Sequence, residues 1–285
     1  MLTSFSIGKA LIGIILGIIQ GICEWLPISS KTQVMIASTF LLHINFSEAY
    51  ALGLFLEGGT FLAALYYFRK EAWKTVLALV GKGGDEGKLL LKYLFVVTII
   101  TAIIAVPIYK FVSSLKGPVI GVPMIVLGIL LIIDGILIKI SKSRSSASKE
   151  LRNLTMRDLA LIGISQGISA LPGVSRSGTT VSAMLFLKVK PEEAFRLSFF
   201  AGLLATIGAS AVTVIFSKPQ LTAVLGLFSP VYMVIAAIVS IAISLVLIDR
   251  LIKSAKSSKM VNIVFILGLI AVIAGIIGMV SGIGG

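Results

Sequence analysis

Three uncharged intervals, Leu197–Ser217, Pro219–Ile248 and Met260–Gly285, are each long enough to cross a hydrocarbon slab of roughly 30 Å as one helix. No water-soluble core hides apolar runs of that length. Tyr93–Tyr109 and Gly117–Ile133 fall slightly short and extend to spans with their flanks, while Glu48–Phe68 crosses if Glu57 is tolerated inside. Six crossings result. Composition agrees: of 285 residues 57% are hydrophobic and 13% charged, with a mean hydropathy of +1.08, which excludes a disordered chain, a disulfide framework and an ordinary globular domain.

The formal net charge of +13 would suggest nucleic acid in a soluble chain, but here the cations cluster between apolar runs, so no nucleic-acid partner is expected. Arg69, Lys70, Lys74, Lys82, Lys88 and Lys92 share one loop. Lys139, Lys142, Arg144, Lys149, Arg152 and Arg157 share a second; Lys188, Lys190 and Arg196 a third; Arg250, Lys253, Lys256 and Lys259 a fourth. All four loops fall on one side of a six-span chain, leaving Lys9, Lys110, Lys116 and Lys218 on the other. The positive-inside rule then places both termini outside a cell membrane. No cleavable leader is expected, since the apolar run Ala10–Cys23 has no basic segment before it. The single cysteine, Cys23, allows no internal disulfide, and the single histidine, His43, allows no two-histidine metal site.

Two intervals do not fit as spans. Residues 10–40 and 157–187 are each too short per leg and are broken in the middle by Pro, Gly and Ser. A helix–loop–helix that enters the membrane and returns satisfies both constraints, provided its irregular backbone is buried in protein or lines a wet cavity. The two segments are also alike. Gly17-Ile18-Ile19-Gln20-Gly21-Ile22 reads against Gly163-Ile164-Ser165-Gln166-Gly167-Ile168, Leu26-Pro27 against Leu171-Pro172, Ile28-Ser29-Ser30 against Val174-Ser175-Arg176, and Glu48-Ala49-Tyr50 against Glu193-Ala194-Phe195, at offsets of 145 or 146 residues. The expected fold is an all-α polytopic membrane protein with an inverted-topology repeat. The first repeat covers 1–138, with a re-entrant pair at 10–40 and spans near 48–68, 93–111 and 118–138. A cytoplasmic linker covers 139–156. The second repeat covers 157–285, with a re-entrant pair at 157–187 and spans near 194–217, 229–249 and 260–282. Three spans per repeat is odd, so the second copy is upside down and the two broken tips meet near the midplane.

The tips carry the chemistry. In the second, Leu171-Pro172-Gly173-Val174-Ser175-Arg176-Ser177-Gly178-Thr179-Thr180, small residues let backbone N–H groups point at a ligand where a helix begins, and Arg176 adds a fork of donors. Phosphate suits such a nest best. An arginine at membrane depth needs a partner or a task, and the plainer reading is that Arg176 pairs with Glu24 or Glu57 to lock the tips together. In the first tip, Gln20 and Glu24 share a helix face at i, i+4, with Ser30 and Lys31 close by. A carboxylate beside a phosphate nest is repulsive unless a divalent cation bridges the two or it holds a proton. Glu24 therefore reads as a ligand of Mg²⁺ or Ca²⁺, or as a general acid/base.

These residues resemble a known family. Gln20-x-x-x-Glu24-Trp25-Leu26-Pro27-Ile28-Ser29-Ser30 and Pro172-Gly173-Val174-Ser175-Arg176-Ser177-Gly178-Thr179-Thr180 are similar to the two signatures of the undecaprenyl-pyrophosphate phosphatases, also called bacitracin-resistance proteins. The resemblance extends over most of the chain, and its second signature is the more specific. It implies a membrane phosphatase that removes the terminal phosphate of a polyprenyl diphosphate and regenerates the monophosphate lipid carrier of the cell envelope. Carried over, Ser30 is the nucleophile, Glu24 the metal ligand or acid/base and Arg176 the phosphate clamp. The headgroup contacts are Ser29, Lys31, Gln33, Gly173, Ser175, Ser177, Gly178 and Thr179, and the metal ligands Glu24, Gln20 and Glu57. The implied partners are the polyprenyl diphosphate and the bilayer, with a homodimer as one option.

The chain is a divergent member. Gln20 stands where the family usually has its first glutamate, Gln33 where it has a histidine, and Glu57 where glutamine is common. His43 lies too far on to substitute. A serine without a histidine base is a poor nucleophile. Glu24 taking the proton, a metal-bound hydroxide, or assistance from the substrate's own phosphate would each repair this. Glu57 is either a carboxylate regained for the one lost at Gln20 or a buried group hydrogen-bonded within the bundle. Asp134 reads as structural, Lys31 as a diphosphate ligand or a snorkelling cation, and Trp25 as packing. The alternative function on the same scaffold is a lipid-phosphate or anion transporter or scramblase, with a channel as a weaker third.

Overall fold

The computed structural model describes residues 6–143, 148–253 and 259–281. Of the loop cations named above, Arg144 and Lys256 lie outside the described residues, as do part of the 139–156 linker and the last residue of the 260–282 span. The described residues form twelve α-helices and one 3₁₀ turn, Leu151–Asn153, with no strand. In chain order the helices are α1 (Ile7–Cys23), α2 (Ser30–Leu42), α3 (Phe46–Tyr67), α4 (Arg69–Leu79), α5 (Gly84–Ser113), α6 (Val122–Ser143), α7 (Met156–Ile168), α8 (Arg176–Phe186), α9 (Pro191–Phe216), α10 (Lys218–Leu227), α11 (Pro230–Lys253) and α12 (Lys259–Val280). Six of them, α3, α5, α6, α9, α11 and α12, are long and apolar enough to cross a membrane. The chain is a multi-pass membrane protein.

Local signals explain where the helices begin. Asn45 and Glu48 close a reciprocal capping box at the start of α3, and Thr155 and Asp158 do the same for α7. Pro191 opens α9, where its missing N–H costs nothing. The 30-residue α5 runs on past its apolar stretch because Asp85 and Glu86 occupy its first turn and favour the positive end of the helix dipole. Two amphipathic helices, α4 and α10, lie in segments expected to be loop or lead-in. In α4 the density of Arg69, Lys70, Glu71 and Lys74 conceals a helical period carried by Trp73, Val76 and Leu79.

Packing follows small residues. Helix α1 lies along α11 and α7 lies along α5, while α3 crosses α9 and α6 runs against α12. A methyl group at Gly17 would sit 2.5 Å from the Ala236 carbonyl of α11, and one at Gly21 2.9 Å from the Ser240 carbonyl. Gly163 and Gly167 bring α7 equally close to Val97, Ile100 and Ile104 of α5. Without hydrophobic drive between helices in lipid, such close backbone approach is what holds them. The short pairs α1–α2 and α7–α8 are thereby docked against long helices, and the loops that break them, residues 24–29 and 169–175, come together.

Candidate active site

Five polar links join the two broken tips. Gly173 N–H donates to Thr32 Oγ1 at 2.7 Å, Ser177 Oγ to the Leu26 carbonyl at 3.1 Å, and Lys31 Nζ to the carbonyls of Ser169 and Val174 at 2.5 and 3.1 Å. The fifth is the ion pair between Arg176 Nη2 and Glu24 Oε1. Tyr50 of α3 supports the second tip by donating to the Ala170 carbonyl at 2.8 Å. In this surround Glu24 is 4% and Arg176 9% exposed, so each is taken almost wholly out of solvent.

The three residues expected to be catalytic are brought together. Ser30 Oγ donates to Glu24 Oε2 at 2.6 Å, Gln20 Nε2 donates to the same oxygen at 2.8 Å, and Arg176 holds the other. A hydroxyl on a carboxylate that is itself oriented by a third group has the geometry of an activated nucleophile. The Arg176 guanidinium is free to lie here because position 202 of α9 is glycine; a Cβ there would run into it. Its Nη1 is buried without a hydrogen-bond partner.

The start of α8 is not left open for an anion. Ser175 caps it by accepting from Gly178 N at 3.1 Å, and its own N–H donates to Asp134 Oδ2 of α6 at 3.2 Å. A Cβ at Gly178 would meet that carboxylate oxygen at 2.5 Å. Asp134 thus lies against the positive end of the helix dipole. Thr179 Oγ1 turns back to the Ser175 carbonyl at 2.9 Å, and Ser177 reaches Leu26. Gly173 adopts φ +90° with α6 packed behind it, so no side chain fits there. In the first tip Ser29, at φ 58°, shares a 2.8 Å hydrogen bond with Thr32, and Gln33 donates to the Ile28 carbonyl at 3.1 Å.

A cavity of about 150 Å³ opens beside this assembly, and of the residues expected to act on substrate or metal only Lys31, Arg176 and Glu57 line it. Ser29, Gln33, Gly173, Ser175, Ser177, Gly178 and Thr179 instead form or fasten the tips. Its remaining polar wall is Tyr50, Thr98, Thr101, Tyr109, Gln166 and Ser169. The rest is apolar: Leu54 of α3, Ala102, Ala105 and Val106 of α5, Ala170 of the second tip, and Leu204, Ala205, Gly208, Ala209 and Val212 of α9. Gln166 and Tyr50 were not among the expected site residues, and their place in the repeated sequence blocks is the signal that could have found them. Asp134 and Gly202 have no such signal, being remote in sequence from the tips they serve.

The expected metal ligands Gln20, Glu24 and Glu57 do not form one ligand set. Both Glu24 oxygens are engaged, one of them by a cation, and Glu57 faces the cavity, which Glu24 and Gln20 do not line. Among the described residues no three His, Cys, Asp or Glu side chains cluster. Magnesium asks for near-octahedral oxygen coordination and calcium for six to eight oxygens. With Glu57 the one carboxylate on a wall that also carries Lys31 and Arg176, the residues do not fit a resident divalent ion.

The chain matches the family described as bacitracin resistance protein BacA over residues 13–277. It is 50% identical over 246 residues to a protein of Saccharolobus solfataricus named undecaprenyl-diphosphatase, covering 86% of this chain and 88% of the relative. Proteins of the same name in Sulfurisphaera tokodaii and Pyrobaculum aerophilum are 44% and 41% identical, each over 85% of this chain and 88% of the relative. With the match running from α1 to α12 through both tips, the chain belongs to the bacitracin resistance protein BacA family.

Proposed function

We propose that this protein is a membrane phosphatase that hydrolyses a polyprenyl diphosphate of the undecaprenyl type to the monophosphate lipid carrier and inorganic phosphate. The observation that carries the reading is the buried chain Ser30–Glu24–Arg176, whose last member also lines the cavity. Arg176 clamps one oxygen of Glu24. An arriving diphosphate draws on the guanidinium, whose Nη1 has no partner, and loosens its hold on Glu24. Ser30 Oγ then attacks the terminal phosphorus and its proton passes to Glu24. The bond to the bridging oxygen breaks, and the lipid monophosphate leaves with the electron pair. Glu24 gives that proton to the leaving monophosphate, takes one from the water that attacks the phosphoserine, and passes it to Ser30 Oγ as inorganic phosphate departs. The alanine-rich walls of α5 and α9 suit the isoprenoid chain.

The same reading takes α1–α2 and α7–α8 as re-entrant pairs of an inverted repeat, with both termini outside the cell membrane. The pairing of α1 with α11 and of α7 with α5 supports it, because helix for helix each is the counterpart of the other. The shared name of the relatives favours hydrolysis over transport.

Purified protein should release inorganic phosphate from a polyprenyl diphosphate in detergent, and Ser30→Ala and Glu24→Gln should lower the rate by about 10²–10⁴. Translocation of the lipid across liposomes without phosphate release, or full activity in Ser30→Ala, would overturn the proposal.

A further inference from the structure

The mismatch between the acidic residues and a metal site has a counterpart in Lys31. Its side chain is 4% exposed and lines the cavity, and its Nζ donates to two carbonyls of the opposite tip. An ammonium carries three donors, so one N–H remains for a ligand. Carbonyl dipoles orient the amine without cancelling its charge, and no ion pair involving Lys31 occurs among the described residues. A full charge at membrane depth is costly unless something is gained from it. The seat is also tight: a Cβ at Gly53 of α3 would lie 3.0 Å from the Lys31 carbonyl and 3.3 Å from its Cβ, so main chain and amine are both held in place.

We propose that this chain works on its diphosphate without a divalent metal, Lys31 and Arg176 together supplying the positive charge that an ion would otherwise bring. The inference rests on the phosphatase reading above. Phosphoryl transfer spreads negative charge over the equatorial oxygens of the moving phosphate and onto the leaving oxygen, and fixed cations stabilise that charge as an ion does. Arg176 presents a planar fork and Lys31 a compact point charge, two complementary donors on one cavity wall. Glu57 lines the same cavity. No bond beyond those of the proposed hydrolysis is made or broken.

The test is phosphate release from a polyprenyl diphosphate by the full-length protein, freed of metal and assayed in EDTA, then with added Mg²⁺ or Ca²⁺. The proposal expects more than half of the metal-supplemented rate to survive in EDTA. A larger loss that returns with metal overturns it and leaves the phosphatase reading standing. No release under either condition overturns both. Lys31→Gln should lower the EDTA rate by about 100-fold and regain most of it with Mg²⁺, as a purely structural lysine would not, whereas Lys31→Arg should stay independent of metal. A Lys31→Gln protein whose residual activity ignores added metal counts against the proposal. If that variant does not elute as a folded species, the wild-type comparison decides.

Discussion

The two broken tips descend from similar sequence and do different work. The first, residues 24–29 leading into α2, ends in side chains committed to one another, Ser30 to Glu24 and Glu24 to Arg176. The second, residues 169–175 leading into α8, has three backbone donors spent within the fold: Gly173 on Thr32, Ser175 on Asp134, Gly178 on the Ser175 hydroxyl. A glycine- and serine-rich turn at a helix start reads as an open anion nest, yet here a carboxylate from α6 already occupies it. The second tip lends one arginine and a rigid frame, and anion recognition falls to the side chains of Lys31 and Arg176 on the cavity wall.

The largest expected effect breaks the joint between the tips. Arg176→Ala removes the cation from both Glu24 and the cavity, and phosphate release should fall by at least about 10³-fold. Because the loss leaves a buried carboxylate unpaired, stability should drop by about 3–5 kcal/mol, seen as a lower melting temperature in detergent. Gly202→Ala keeps every polar group and only displaces the guanidinium; it should cost about 100-fold in kcat with little change in melting temperature. Retained activity would mean that the position of Arg176 is not critical.

Asp134→Asn sharpens the contrast from the other side. If the carboxylate serves the helix start, the substitution should lower stability by about 1 kcal/mol, roughly 2–4 °C, while KM for the diphosphate moves less than about threefold. A collapse of catalysis would return the anion site to the second tip. The smallest effect is expected from Gln33→His, which restores the residue usual in the family. With Ser30 already bonded to Glu24, the rate should change by less than about threefold, against the 10²–10⁴ that a working base contributes.

The spans, and the tips as places where chemistry gathers, were legible because each is written in consecutive residues: long uncharged runs, and short blocks repeated 145 or 146 positions apart. The union of Ser30, Glu24 and Arg176 follows from that repetition. Helices α4 and α10 were not legible. One is masked by its charges, and the other, Lys218–Leu227, lies in an apolar interval long enough to be read as the lead-in to a span. Asp134 reads as structural from the sequence, but the element it serves does not show there, and Gly202 escaped altogether. Asp134 lies on a helix 41 residues from Ser175, and Gly202 matters through an atom that is not there. The direction of the side chains in the second signature was not legible either, since a motif names Ser177 and Thr179 but not the way their hydroxyls turn.

The glycine seam of α1 bears on how the chain comes to be folded at all. Ser6 N–H donates to the Tyr232 hydroxyl at 2.7 Å, Lys9 reaches the Leu227 carbonyl at 2.5 Å, and Gly17 and Gly21 rest on α11. Helix α1 therefore has its berth on a helix that follows it by some two hundred residues. Until some two hundred further residues have emerged, its bare stripe of backbone has only lipid for company, so assembly is a late and long-range event. A chain truncated before α11 would strand α1 and, with it, the carboxylate at its end.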